Sequence, residues 1–579
     1  MVMPIVLQAP TSGHVRISHI KDLWSRRTTN MFGLGEDTKL LEEVPGTINL
    51  VDMQGVLEIK GTNDKIILHP QPSSDLNDPL RWLPIKKEYQ VCLLSFWGFM
   101  QSVSTVWSGP IWSLWVEEFD ITYSQLNTLS GLCFIFIAVG CVVLQPCALK
   151  LGKRFVYLMC TLLQIVGNVV YAHTAGVSQL YAAAAIVGFA SAPMFSLIEI
   201  SCTDIFFQHQ RAFKISYVVF SLYGGVALGP LATGYVTDGV GWKWCPYIMI
   251  IIFSTMFVVQ FFTLEDSTYR RSDTPEDLQS NIMEQIRSHM SQKSEASKVG
   301  SPKIDKSEVI INVDDDNSLD STIPKLSYWR RMRIFSTEHA DPRKLQWIVF
   351  KPFLLCSFPI VVWCGVLQAV QQMWLTLLLS TQSEFYSSEP YNFSTSKVGL
   401  TNLSTLVGII LGIFYGGWCV DKMTIYLARN NKGIMEPEFR LWSMLVPVAV
   451  NLAGLLAYGL GILNQLNWAL PVIFGQGCLG FSMASVTGIA YTYCTDSYPN
   501  LVNEGIVFIS FVNNGLATIF TFFISDWMER DGLVLMTWMM FLIALGVTGS
   551  FLIFILLGKT FRRKGKNLYY KISELGETH

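Results

Sequence analysis

Long blocks without a charged residue alternate with short polar segments along most of the chain. A transmembrane α-helix needs about 20 apolar residues, and two blocks are long enough for two passes, with polar breaks at residues 173–179 and 464–467. Because hydrocarbon offers no water to unpaired backbone groups, we predict twelve transmembrane α-helices. The blocks are Tyr89–Val116, Ile121–Leu149, Phe155–Ile198, Ile215–Thr237, Trp244–Leu264, Pro352–Ser383, Val398–Val420, Leu441–Thr495, Gly505–Ser525 and Gly532–Gly558.

A charged, serine-rich stretch divides these helices into two groups of six. We predict a cytoplasmic N-terminal arm (residues 1–86), a first six-helix bundle (87–264), a cytoplasmic linker (265–351), a second six-helix bundle (352–558) and a cytoplasmic tail (559–579). Two six-helix halves joined by a long linker are typical of transporters built from structural repeats. The pattern therefore predicts an all-α polytopic membrane protein.

Composition supports this class and excludes others. Of 579 residues, 51% are hydrophobic and only 15% are charged, whereas soluble proteins carry about 25% charged residues. The net charge of -2 gives no sign of a nucleic-acid partner. The 12 cysteines form no CxxC pair, and we find no nucleophile elbow or phosphate-binding loop. We expect no enzymatic activity, no cofactor and no metal.

Basic residues are concentrated in one set of short loops. Lys150, Arg429 and Arg562 belong to this set, and the opposite loops carry Glu117 and Asp526. Since basic loops stay in the cytoplasm, both termini are predicted to be cytoplasmic. Asn392 begins an Asn-Phe-Ser sequon in a predicted outer loop, where it can be glycosylated.

Glu199 is the acidic residue placed clearly inside an uncharged run, in the fourth predicted helix. It precedes the basic boundary at Arg211 by twelve residues, which is about 18 Å at a rise of about 1.5 Å per residue. A lone charge near mid-membrane costs about 2.5–3.5 kcal/mol on insertion scales. We predict that Glu199 binds a cationic substrate or a proton; the alternative is a protonated side chain bonded to a neighbouring helix.

Further polar and aromatic residues fall within the predicted helices. They offer oxygen atoms and ring faces to a cation, although each could equally bond or pack between helices. Asp204 lies closer to the cytoplasm, where it could couple protons or form a gate salt bridge. The candidate substrate-binding residues besides Glu199 are Gln101, Thr105, Tyr223, Gln368, Gln372, Trp374, Tyr415, Tyr491 and Asn513.

Three short motifs resemble those of the major facilitator superfamily, and of its fungal drug:proton antiporter branch. The first is the loop with Gly152, Lys153 and Arg154 after the second helix, the second is the Asp421-Lys422 pair after the eighth helix, and the third is the glycine-rich run with Gly225, Gly229 and Pro230 in the fifth helix. The resemblance implies the major facilitator fold, with twelve helices in two halves and these residues in the gate. Ala184 stands where many proton-coupled members carry an arginine.

Three segments make the resemblance narrower, because they look like those of a fungal group that includes a yeast histidinol and polyamine permease. These segments are residues 69–82, 199–211 and 436–442. That likeness implies a monomeric secondary transporter of the plasma membrane. It would import organic cations, with spermidine, putrescine and spermine as expected substrates, and use the membrane potential, protons or both. The alternatives are a proton-coupled exporter of drugs or organic cations and, more remotely, a nutrient sensor with a transporter fold.

Overall fold

The computed structural model describes residues 44–49, 77–206, 208–268, 327–335, 344–431 and 434–574. Most of the predicted arm and linker therefore lies outside the described residues. The described chain is almost entirely helical, with one small antiparallel sheet in which β1 (Ile48–Asn49) pairs with β2 (Ile434–Met435). We number the twelve long helices α1 to α12 and give the short ones by their residues.

Six long helices form the first half. They are α1 (Pro84–Val106), α2 (Tyr123–Leu151), α3 (Lys153–Ala172), α4 (Val177–Ile205), α5 (Gln208–Val240) and α6 (Trp244–Thr263). A short helix, Trp112–Phe119, follows α1. A capping box at Thr122 and Gln125 starts α2, and it satisfies two backbone amides that have no partner within the helix.

The second half repeats this arrangement. It contains α7 (Pro359–Ser387), α8 (Thr395–Asn430), α9 (Pro437–Leu463), α10 (Leu470–Ser497) and a continuous run, Val502–Gly549, which is followed by the helix Phe551–Glu574. Gly532 interrupts the run with a positive φ of 72°, so that residues 502–531 form α11 and residues 533–549 form α12. Short helices at Tyr328–Arg331 and Leu345–Phe350 precede α7.

The prediction of an all-α polytopic protein with twelve helices is confirmed. Ten segments of the described chain are long and apolar enough to cross a membrane. The last of these includes both α11 and α12, so the ten segments contain eleven of the helices. The remaining helix is α1, which is not among the ten segments. Several ends differ from the prediction, because hydropathy does not record helix beyond the apolar core. Thus α4 continues to Ile205, a helix begins at Leu345, and the predicted tail is helical to Glu574.

The two halves meet along α5 with α8 and along α2 with α11. We call the face where α1 begins and α12 ends the terminal face, and the opposite one the distal face. Near the distal face, Ser396 N donates to Asp238 Oδ2 at 3.0 Å, Ser383 Oγ donates to Ser113 Oγ at 3.2 Å, and Asn127 Nδ2 donates to Ser525 Oγ at 2.5 Å. These hydrogen bonds join the halves at the distal face.

Glycines set the close approach of α8 to α10 within the second half. A methyl group at Gly408 would overlap the backbone carbonyl oxygen of Gly477, which is rigid within its helix. We expect Gly408→Ala to destabilise the protein by about 1–3 kcal/mol, the usual cost of overpacking. The matched control is Gly546→Ala in α12, where an added methyl group would meet nothing within 4 Å.

The unfolding midpoint of each purified variant in detergent measures this effect. Gly408→Ala should lower the midpoint by several degrees, and the control should leave it unchanged. An unchanged midpoint for Gly408→Ala would mean that α8 and α10 are farther apart than described.

Candidate binding site between the two halves

Helix α4 is interrupted where it crosses the centre of the protein. Its α-helical part ends at Ser191, residues Ala192–Phe195 form a 3₁₀ turn, and the helix resumes at Leu197–Ile205. Pro193 accounts for the break, because proline has no amide hydrogen and its ring clashes with the preceding turn. The carbonyl of Phe195 is released from helical bonding and accepts from Ser510 Oγ of α11 at 3.1 Å. The break therefore joins the two halves.

Glu199 lies in the first turn after this break and faces an internal cavity. The residue is only 6% exposed, and its carboxylate has no ion pair or hydrogen bond with any residue that the structure describes. Among the described residues lining the cavity, it alone can carry a full charge near neutral pH. A carboxylate in such surroundings is stabilised by a cation or by protonation.

The cavity gathers side chains from both halves. The first half contributes helices α1, α2, α4 and α5, and the second half contributes α7, α10 and α11. Seven of the predicted binding residues line it: Thr105, Glu199, Tyr223, Gln368, Gln372, Tyr491 and Asn513. Phe134, Ile137 and Leu222 add apolar surface, so the cavity combines one carboxylate with amides, phenol rings and hydrocarbon.

Several polar groups of the cavity have hydrogen-bonding capacity left. Asn513 Oδ1 and Gln368 Nε2 have no hydrogen-bond partner among the described residues, although both atoms are buried. Tyr223 donates its hydroxyl hydrogen to Thr487 Oγ1 at 2.9 Å, across the junction of the two halves. Asn513 therefore offers a free acceptor to a ligand, and Tyr223 is fixed in position by its partner.

Three predicted binding residues lie outside this cavity. Gln101 is buried between α1, α3 and α4, where its carboxamide oxygen accepts hydrogen bonds from Gln164 and Ser191. Trp374 packs edge to face against Phe520. Tyr415 donates to the backbone carbonyl of Ser443 at 2.8 Å. These contacts are interhelical packing, which was the alternative expectation for each of these residues.

The gate residues of the first half lie at the terminal face. Gly152 has a φ of +96°, which suits glycine at the sharp turn between α2 and α3. Lys153 forms an ion pair with Asp204, so Asp204 lies at the terminal end of α4 and is not among the cavity residues. Arg154 is buried and donates to two backbone carbonyls, Phe261 O at 2.6 Å and Arg333 O at 3.4 Å.

Asp266 lies close to the same turn, just after α6. Hydrogen bonds reach its carboxylate from the amide and the hydroxyl of Thr268, at 2.9 and 2.7 Å. Burial raises the pKa of Asp266, and the hydrogen bonds from Thr268 together with the nearby Lys153 ammonium group oppose that rise. The turn between α2 and α3 is thus held by charges from α4 and from the segment after α6.

The equivalent region of the second half contains a three-residue ionic network. Arg440 donates from Nη1 to Asp421 Oδ1 and from Nε to Asp496 Oδ2, both at 2.7 Å. This network joins the terminal ends of α8, α9 and α10. Lys422 instead places its ammonium group 3.8 Å from the ring centroid of Trp418, in a cation–π contact.

The glycine motif of α5 lies against neighbouring helices, and the predicted glycosylation site lies at the surface. A methyl group at Gly225 would overlap the carbonyl of Phe99, and one at Gly229 would lie 3.2 Å from Cα of Val103, so both glycines bring α5 close to α1. The carbonyl of Pro230 faces Gly399 of α8. Asn392 is exposed in the loop between α7 and α8 at the distal face.

The structure also adds cavity residues that the sequence did not single out. Ser102, Phe195 and Thr487 line the cavity. Pro193, within an otherwise apolar helix, was the available signal for the break beside Phe195. Ser102 and Thr487 gave no signal, because small hydroxyl residues are common throughout transmembrane helices.

This chain is similar to three other proteins over most of its length. It is 29% identical to an uncharacterized MFS-type transporter of Schizosaccharomyces pombe over 85% of this chain and 88% of that protein. It is 28% identical to protein HOL1 of Saccharomyces cerevisiae over 84% and 90%. It is 22% identical to the efflux pump radE of Floropilus chiversii over 79% and 78%.

One solved structure and one family model also match the chain. The structure is of a bacterial homologue of the human lysosomal transporter Spinster, in an inward-facing and unoccupied conformation; it is 13% identical and covers 85% of this chain and 99% of that chain, with a TM-score of 0.48. The sequence description of the Major Facilitator Superfamily matches residues 94–520, which is most of the chain and includes the cavity residues. The protein is a membrane transporter that belongs to the Major Facilitator Superfamily.

Proposed function

We propose that this transporter imports organic cations, with polyamines as its principal substrates, across the plasma membrane. The observation that supports the proposal is the Glu199 carboxylate, which is buried in the central cavity without a partner among the described residues. An ammonium group bound there would neutralise a charge whose burial costs about 2.5–3.5 kcal/mol on insertion scales. A neutral or anionic substrate would leave that cost in place.

The remainder of the cavity suits a flexible ammonium chain. Amide oxygens from Gln368, Gln372 and Asn513 can accept hydrogen bonds from further ammonium groups. The rings of Tyr223 and Tyr491 can bind a cation through their faces. The apolar part of the lining is suited to the methylene segments between the amines of a polyamine.

We propose that the distal face is extracellular and that both termini are in the cytoplasm. The charges at the distal face then favour import. Glu117, Glu118 and Asp120 lie next to one another there, and Asp238 lies at the distal end of α5. An acidic surface raises the local concentration of cations and their rate of encounter. The resemblance to fungal permeases of organic cations points in the same direction.

A second candidate is proton-coupled export of drugs or organic cations. Two observations favour it: the Gly225–Pro230 motif of α5, which resembles that of antiporters, and the similarity to a relative named as an efflux pump. In that case Glu199 would exchange a proton for the substrate within the same cavity. Asp204 is a further candidate for proton coupling, acting through its ion pair with Lys153.

Uptake of radiolabelled spermidine separates the two functions. Cells that lack their own polyamine permeases should accumulate the label when they express this protein, at two external pH values, and an uncoupler should abolish the accumulation. Cells carrying the empty vector are the control. Retention of less label than in those control cells would show export and overturn the proposal, and equal retention would overturn spermidine as a substrate.

A further inference from the structure

A short segment of the N-terminal arm is bound to the terminal face of the second half. In this segment, Val44–Asn49, the residues of β1 pair with β2 in the loop between α8 and α9, with Ile48 opposite Met435 and Asn49 opposite Ile434. Val44 is buried. The arm belongs in sequence to the first half, since α1 begins at Pro84, yet this part of it lies on the second half.

The segment completes the bonding of a fully buried arginine. Arg562, in the helix that follows α12, is 0% exposed. It donates from Nε and Nη2 to the two oxygens of Glu438, at 2.9 and 2.5 Å. Its Nη1 donates to the carbonyl of Pro45 at 2.6 Å and to Thr47 Oγ1 at 3.2 Å. A buried guanidinium needs partners for all of its donors, so the arm supplies bonds that the Glu438 carboxylate does not.

Gly46 fixes the segment against the end of α10. Its φ is +80°, a conformation that other residues adopt only with strain. A methyl group there would overlap the backbone carbonyl oxygen of Asp496. Asp496 is also the residue whose carboxylate binds Arg440. The arm therefore touches the ionic network that joins α8, α9 and α10.

The position of this contact matters for the transport cycle. The halves are hydrogen-bonded to each other at the distal face, through Ser113 with Ser383 and Asp238 with Ser396. Opening that face requires the terminal ends of the two halves to approach each other, as in the rocking motion of such transporters. Helix α10 contacts the first half through Thr487 and Tyr223, and the arm lies at its terminal end.

We propose that Val44–Asn49 is an intramolecular brake: while bound to Arg562 and to the end of α10, it stabilises the conformation in which the distal face is closed. Release of the segment would favour opening of that face. The brake requires only a two-conformation transporter, whatever the substrate, so it can be tested without one. A ligand that binds one of two conformations shifts the balance towards it, and the arm acts as such a ligand within the chain.

Labelling of a cysteine introduced at the closed distal face measures how often that face opens. Ser383 is buried in that contact, so Ser383→Cys should react with a membrane-impermeant maleimide only when the distal face opens. Adding Gly46→Ala should release the arm and raise the labelling rate about fivefold, equivalent to about 1 kcal/mol. Gly546→Ala, where the added methyl group has free space, should leave the rate unchanged. Protein without Ser383→Cys gives the background from the native cysteines.

A cross-link that holds the arm on its site tests the opposite change, in which the arm cannot leave. The comparison is made within one folded sample. Ile48→Cys and Met435→Cys face each other across the β1–β2 pair, so copper–phenanthroline should join them in the purified, reconstituted protein. The oxidised protein should label at 383 about fivefold more slowly than the same protein after reduction. Gly46→Ala should also prevent the cross-link from forming.

Two results would overturn the proposal. Failure of the Ile48→Cys/Met435→Cys pair to cross-link in protein that keeps Gly46 would show that the arm does not occupy this site. A cross-link that forms but leaves the labelling rate unchanged, or raises it, would show that the bound arm is no brake. Because none of these readouts involves a substrate, failure of the brake and failure of the proposed cation import are distinguishable.

Discussion

We expect spermidine uptake to fall about 30-fold when Glu199 is replaced by Gln, with surface abundance unchanged. The substitution keeps the size of the side chain and removes the charge that would pair with an ammonium group. A hydrogen bond to a charged group contributes about 1.5–3 kcal/mol, and about 2 kcal/mol corresponds to about a 30-fold change in affinity. Since Glu199 alone can supply a full charge among the described lining residues, no neighbouring carboxylate of the cavity would compensate.

Initial uptake rates over a range of spermidine concentrations measure this prediction, with surface protein quantified by an epitope tag. Glu88→Gln is a suitable control, because Glu88 is exposed at the terminal face, where it forms an ion pair with Lys214. Glu199→Asp should recover part of the activity, since it restores the charge at a shorter reach. Wild-type uptake by Glu199→Gln at normal abundance would mean that another group neutralises the substrate.

Hydropathy was sufficient to predict the helices and part of the cavity, for a physical reason. A membrane imposes a length and an apolar composition on each helix, and polar residues that violate the composition, such as Glu199, Gln368 and Asn513, must face the protein interior. In a transporter with two halves, much of that interior is the central cavity. These three residues could therefore be predicted together without knowledge of any contact between them.

The direction that each helix face points could not be predicted in the same way. Gln101 and Thr105 are one turn apart on α1 and were expected to share a role, but the rotational position of the helix about its axis places Thr105 at the cavity and Gln101 against α3. The packing of neighbouring helices sets that rotation. Trp374 and Tyr415 likewise have partners, Phe520 and Ser443, that are distant in sequence.

The bound arm was the least predictable feature, because its contacts join the two ends of the chain. Pro45 and Arg562 are 517 positions apart, and nothing local in residues 44–49 distinguishes them from the rest of a polar arm. A buried arginine in a predicted tail is also unexpected, since basic residues there are ordinarily explained by the orientation rule. The ion pair of Arg562 with Glu438 depends on where the fold places Glu438, and hydropathy does not predict that position.

Collapse of the membrane potential should reduce steady-state polyamine accumulation more than collapse of the pH gradient. A cation that enters a negative-inside compartment gains about 2.3 kcal/mol per charge per 100 mV. For trivalent spermidine this is about 7 kcal/mol, or about five orders of magnitude in concentration ratio. A pH gradient of one unit adds only about 1.4 kcal/mol for each coupled proton. The potential alone can therefore drive accumulation.

Proteoliposomes allow the two gradients to be removed separately. Valinomycin with equal potassium on both sides abolishes the potential and leaves the pH gradient. Nigericin added to the same medium abolishes the pH gradient as well. Valinomycin with a potassium gradient and equal pH imposes a potential without any pH difference. We expect accumulation to persist in the last condition and to be largely lost in the first. Ala184, a small buried residue of α4, supplies no charge for proton coupling at its position. The reverse order of effects would mean that proton binding, with Glu199 as the first residue to test, drives the cycle.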